Sequence, residues 1–117
     1  MTTVFVYGTL MDGERNHRVL ARAEHLGAAR TVARFTMFDL GSYPAIVAGG
    51  RTAISGELYA VDAAALAKLD RLEGHPEIYR RTSIELEGGG SAEAYVLPST
   101  EGRRATVIPS GSWRSRG

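Results

Sequence analysis

The sequence predicts a mixed α+β domain, an open sheet or a closed barrel covered by two helices. Three observations lead there. An apolar strand, Val4-Phe5-Val6-Tyr7, runs into a glycine turn at Gly8. A capped helical stretch lies between Asp62 and Gly74. The element order reads strand, helix, strand, strand, strand, helix, strand, strand, with too few crossover helices for a Rossmann sheet.

With 117 residues the chain makes one domain, residues 1–117, large enough for a core but not for two cofactor-binding lobes. Residues after about 110 read as a flexible tail in which Trp113 docks on the body. A hydrophobic content of 44% and a charged content of 23% belong to an ordinary globular chain. No apolar run reaches membrane-spanning length and no leader pattern is visible, so a cytoplasmic address and no membrane partner are expected. The absence of cysteine leaves only oxygen and nitrogen chemistry. A net charge of +1 gives no bulk attraction to nucleic acid, and Arg103-Arg104 and Arg114/Arg116 lie outside any basic, aromatic stripe; no nucleic-acid partner is expected.

The first strand is apolar on both faces and therefore reads as interior. Gly8 turns the chain sharply, by a positive φ if the turn requires one, and leaves successive N–H groups free to meet a carboxylate or an oxyanion. The same turn also serves a purely structural role. Val19, Leu20, Ala23 and Leu26 then fall at helical spacing over residues 15–26, with His17 in the first turn as a base or a mere capping residue. Thr31 to Asp39 alternates as a strand. Pro44 holds Tyr43 extended, either to line a pocket or simply to pack, and leads a short apolar strand.

Ala53 to Val61 forms the next strand, with Gly56 marking a bulge or a close backbone approach. Asp62 caps a helix over residues 63–73, which Gly74 and Pro76 stop. Ile78 to Leu86 and Ala92 to Leu97 form a hairpin around the Gly88-Gly89-Gly90 turn, which lacks the lysine and following helix of a phosphate loop.

Glu73 is out of place on this pattern. Leu66, Leu69 and Glu73 stand at i, i+3 and i+7, which turns the carboxylate toward the face the leucines bury. Such a carboxylate is paired, with Arg80, Arg81 or a tyrosine as partner, or else its pKa is raised toward the range of a general base. The remaining option is escape to solvent at a frayed helix end.

Three ordered blocks now converge. Val4-Phe5-Val6-Tyr7-Gly8-Thr9-Leu10, Gly56-Glu57-Leu58-Tyr59-Ala60-Val61-Asp62, and Leu69-Asp70-Arg71-Leu72-Glu73-Gly74 followed by Tyr79-Arg80-Arg81 resemble the signature blocks of the γ-glutamylcyclotransferase-like (AIG2-like) family. The resemblance covers roughly residues 3 to 97, and Asn16-His17-Arg18-Val19-Leu20 with Tyr43-Pro44 looks closest to the γ-glutamylamine cyclotransferase branch. It implies a small mixed β-barrel with helices packed on it. It also implies a catalytic acid/base at Glu73 and a substrate loop at Tyr7, Gly8, Thr9 and Leu10, with Tyr43 and Tyr79 near the cleft. No metal or organic cofactor is implied, and the partner is a small γ-glutamyl substrate.

The implied reaction is intramolecular: the α-amine of an L-γ-glutamyl group attacks its own side-chain carbonyl, expels an amine and closes 5-oxoproline. Two rivals stand beside it, a non-catalytic binding or scaffold protein on the same barrel and an amide hydrolase in which Glu73 activates water. The leaving amine and the oligomeric state are not encoded in any motif.

Overall fold

In the computed structural model, which describes residues 1–116, the strands are β1 (Thr2–Val6), β2 (Glu24–Arg30), β3 (Phe35–Asp39), β4 (Pro44–Ala48), β5 (Ser55–Val61), β6 (Arg80–Glu85), β7 (Ser91–Val96) and β8 (Thr106–Val107). One α-helix, α1 (Ala63–Glu73), joins β5 to β6. The five-stranded sheet has the order β2-β5-β1-β7-β6, and a three-stranded sheet has the order β4-β3-β8. β1 is interior because both its faces are apolar, and Val4, Phe5 and Val6 are all buried. It pairs antiparallel with β5, Val4 opposite Tyr59, and parallel with β7, Val4 opposite Glu93.

The outer strands β2 and β6 curl toward one another. Past their ends Thr31 bridges Leu86, with Val32 N–H donating to Glu85 O at 3.1 Å and Glu87 N–H to Arg30 O at 2.8 Å. The α+β class stands, but the barrel is open: one bridge and two flanking bonds are not a ladder. Leu97 N–H donates to Ile46 O at 2.9 Å and ties the small sheet to the large one.

Only one of the two expected helices forms. Within residues 15–26, His17–Leu20 makes a single 3₁₀ turn, and the chain from Glu24 onward becomes β2, bulged between His25 and Gly27 and paired along β5. The apolar spacing is helical, but the outer edge of β5 needs a partner, and a ladder of six paired residues outweighs a weak local preference. Leu26 is left exposed at the bulge, while Leu20 is buried. The strand expected from Thr31 begins only at Phe35, because Thr31 is a buried corner whose hydroxyl accepts from Ile54 N–H at 3.0 Å and donates to Val32 O at 2.8 Å.

Gly56 is a close approach and not the bulge: a β-carbon there would lie 2.3 Å from Val6 O. α1 has the caps its sequence called for, with Asp62 accepting from Ala65 N–H at 2.8 Å and Gly74 in the left-handed region at φ 66°. In the stretch after residue 110, Trp113 is 3% exposed and carries the Arg116 guanidinium 3.7 Å from its ring centre; Gly117 lies outside the described residues. No helix among the described residues is long and apolar enough to cross a membrane.

Candidate active site

The helix that ends at Glu73 aims this residue into a cleft of about 290 Å³ between the end of β1, the Tyr43-Pro44 corner and the start of β6. On the inner face of α1, Leu69 is fully buried and Leu66 partly so, as the spacing required. Desolvation alone pushes the Glu73 carboxyl up to about 7. Among the described residues no side chain donates to it. Of the partners the sequence offered, Arg81 is engaged elsewhere: its Nε donates to Asp70 Oδ1 at 3.0 Å and its Nη1 to Glu93 Oε1 at 3.1 Å. Arg80 is exposed.

Asp70, one turn earlier on α1, shows the contrast. Burial acts to raise its pKa, but the Tyr95 hydroxyl at 2.7 Å and the Arg81 guanidinium outweigh burial and hold it below the usual carboxylate range. Two carboxylates on one helix thus differ in their surroundings: Asp70 is a paired anion, and Glu73 is free to exchange a proton near neutrality.

All seven residues singled out in the sequence border this cleft: Glu73, Tyr7, Gly8, Thr9, Leu10, Tyr43 and Tyr79. The hydroxyls of Tyr7 and Tyr79 are already committed. Tyr7 donates to Tyr95 O at 2.7 Å and accepts from Ile46 N–H at 3.3 Å, and Tyr79 donates to Pro44 O at 2.9 Å. Burial raises both phenols, with Glu73 among the further causes, so they stay protonated as wall and brace. Tyr43, 38% exposed, stands at the rim.

The loop after β1 folds on itself through Met11 N–H to Gly8 O at 3.1 Å and Asn16 N–H to Thr9 O at 2.9 Å. The Thr9 hydroxyl accepts from Asn16 Nδ2 at 2.9 Å. The amides of Gly8, Thr9 and Leu10 find no acceptor among the described residues, and all three residues line the cleft. Gly8 does not owe its identity to a positive φ. The ring of Pro44 requires it, because a β-carbon on residue 8 would lie 2.6 Å from Pro44 Cγ.

Three features escaped the sequence reading. Arg15 lines the cleft, Tyr95 contributes its back wall, and Asp70 anchors Tyr95. Asp70 sat inside a quoted block, and its i+4 relation to the buried face at Leu66 was the available signal. His17 is not on the cleft wall: its Nδ1 meets Leu10 O at 3.0 Å, and its ring leans on Tyr59. Among the described residues no group of three or more His, Asp or Glu side chains is arranged to hold a metal ion.

Comparison with known proteins places the chain in a family. The model of the family described as "Gamma-glutamyl cyclotransferase, AIG2-like" matches residues 4–115, and the chain belongs to that family. A Vibrio cholerae protein provisionally named a gamma-glutamylcyclotransferase is 43% identical, over 97% of this chain and 96% of that one. The human protein named gamma-glutamylaminecyclotransferase is 39% identical, over 74% of this chain and 63% of its own. In structure, the solution structure of ytfP from Escherichia coli superposes with a TM-score of 0.72 at 33% identity, covering 97% of both chains. Family and relatives together support an enzyme of the gamma-glutamylcyclotransferase kind.

Proposed function

We propose that the protein cyclises the L-γ-glutamyl group of a γ-glutamyl amine or γ-glutamyl peptide to 5-oxoproline and releases the amine. The observation that carries this reading is the unpaired Glu73 carboxyl, raised to about 7, in a cleft that also presents free main-chain amides. The substrate brings its own nucleophile, so the protein has to fold it, move a proton and steady an oxyanion.

Glu73 takes a proton from the substrate α-ammonium. The freed amine attacks the γ-carbonyl carbon, forming the ring C–N bond and placing a negative charge on the carbonyl oxygen. Amides of the loop from Gly8 to Leu10 hold that oxyanion or the substrate carboxylate. Collapse of the intermediate breaks the bond to the leaving nitrogen, which takes the proton back from Glu73, and the second proton of the ring nitrogen passes through the same carboxylate to the amine, which departs as an ammonium. The buried phenols of Tyr7 and Tyr79 shape the pocket, and Tyr43 borders its mouth. The partner is then a small molecule, and a cytoplasmic address goes with this reading.

Product analysis tests it. Incubation with γ-glutamyl amines, γ-glutamyl dipeptides and γ-glutamyl-ε-lysine should yield 5-oxoproline by mass spectrometry. Free glutamate would make the enzyme a hydrolase, and no turnover across the panel would leave a binding protein.

A further inference from the structure

We infer that Arg15 reads a carboxylate on the leaving group, so that the preferred substrates are γ-glutamyl derivatives of α-amino acids over those of simple amines. The inference rests on the cyclotransferase reading and names its substrate class. Among the described residues of the cleft wall the charged side chains are Glu73 and Arg15, one acidic and one basic. The two form no ion pair with each other, and Arg15 has no carboxylate partner among the described residues.

Arg15 is the arginine on the cleft wall, whereas Arg116, likewise held by a main-chain carbonyl, lies on the Trp113 ring away from it. Arg30, Arg34, Arg81 and Arg114 each face a carboxylate. Arg15 is also fixed, its Nη2 donating to Ser42 O at 2.7 Å, but a neutral carbonyl holds it. One donor of the fork positions the guanidinium, and the rest stay available at full charge. This arrangement is preorganised for an incoming carboxylate.

Its place decides which carboxylate. Arg15 is an exposed residue and its anchor Ser42 lies beside Tyr43 on the rim, whereas the amides of Gly8, Thr9 and Leu10 already supply donors to the glutamyl half next to Glu73. On the cyclotransferase reading the glutamyl half sits at Glu73 and the loop amides, which leaves the departing amine to extend toward the rim. Arg103 lies close enough to influence Tyr79 but is not on the wall, which makes it the control.

The test compares γ-glutamyl-alanine with γ-glutamyl-alaninamide, which differ only in the leaving-group carboxylate, on the wild type and on Arg15→Gln, Arg15→Lys and Arg103→Gln. The wild type should favour γ-glutamyl-alanine in kcat/KM, mainly through KM. Arg15→Gln should shrink that preference by roughly 10- to 100-fold, the contribution of a charge-assisted hydrogen bond. Arg15→Lys should recover part of it, and Arg103→Gln should leave the preference in place. Equal losses on both substrates in Arg15→Gln would overturn the inference, assigning Arg15 to the glutamyl α-carboxylate or to holding the Ser42 loop. If no substrate yields 5-oxoproline, the cyclotransferase reading fails separately. Calorimetric Kd values for the same two compounds then decide: an Arg15-dependent preference for the carboxylate upholds the inference, and equal affinities overturn it.

Discussion

Pro44 stands against Gly8 so closely that a β-carbon on residue 8 would fall 2.6 Å from its Cγ and 2.8 Å from its Cδ. The same Pro44 carbonyl accepts from Tyr79 at 2.9 Å, so one proline braces both the loop and the far wall of the cleft. Gly8→Ala should push that ring away and destabilise the fold by about 1–3 kcal/mol, the usual effect of overpacking. Activity should fall with it. Adding Pro44→Ala should recover part of the loss in a double-mutant cycle read by urea melts, because the clash is with the ring. Strict additivity would show that Gly8 is needed for another reason. Thr9→Ala removes only an acceptor for Asn16 and should be mild by comparison.

Glu73→Gln keeps the volume of the side chain and loses the proton site. Turnover should drop by about 10²–10⁴-fold with a smaller change in apparent affinity. The wild-type rate should climb as pH rises through about 7, where the carboxyl ionises. The residual rate of the variant should lack that limb. A variant retaining near-normal 5-oxoproline formation would remove Glu73 from the chemistry.

Stability should show the opposite slope. The folded-state pKa of Glu73 lies above its ordinary 4.5, so between that value and about 7 the native chain holds more protons than the unfolded one. This group therefore favours the fold at low pH, loses that effect as pH rises through the window, and opposes folding above it. Glu73→Gln should gain about 1–3 kcal/mol over the wild type at pH 8, discounted for water in the open cleft, and much less at pH 5. Chemical denaturation at the two pH values measures the difference, and an equal gain at both would contradict the desolvated carboxylate.

Asp70→Asn tests the other carboxylate of α1. It removes the charge that Arg81 and the Tyr95 hydroxyl meet, and should cost about 1–3 kcal/mol. The pH midpoint of activity should stay where it is, because burial alone sets the Glu73 shift. A displaced midpoint would mean that Asp70 tunes Glu73 directly.

Much of the frame was legible because the chain marks it locally. The apolar faces of Val4 to Tyr7 identified a central strand, and Asp62 with Gly74 bounded α1 and so oriented Glu73. The first helix misled because Val19, Ala23 and Leu26 carry a helical period while the exposed edge of β5, brought there by distant residues, takes the chain from Glu24 as a strand. The same limit applies to the cleft. That Glu73 faces inward follows from spacing, but that it stays unpaired depends on Asp70 and Glu93 occupying Arg81, a competition across two elements. The steric demand at Gly8 likewise belongs to a proline far along the chain, and nothing near Arg15 distinguishes it from the other arginines.

Because β1 lies between β5 and β7, with Val4 opposite both Tyr59 and Glu93, the first strand made is among the last to gain its partners. The β6–β7 hairpin and α1 are local and form early, whereas the parallel β1–β7 pairing must first close most of the chain into a loop. The cleft inherits that delay, since its floor is the end of β1 and its back wall is Tyr95 on β7. A compound that occupies the cleft meets only the finished molecule, and so should lengthen the lifetime of the native state without hastening its formation.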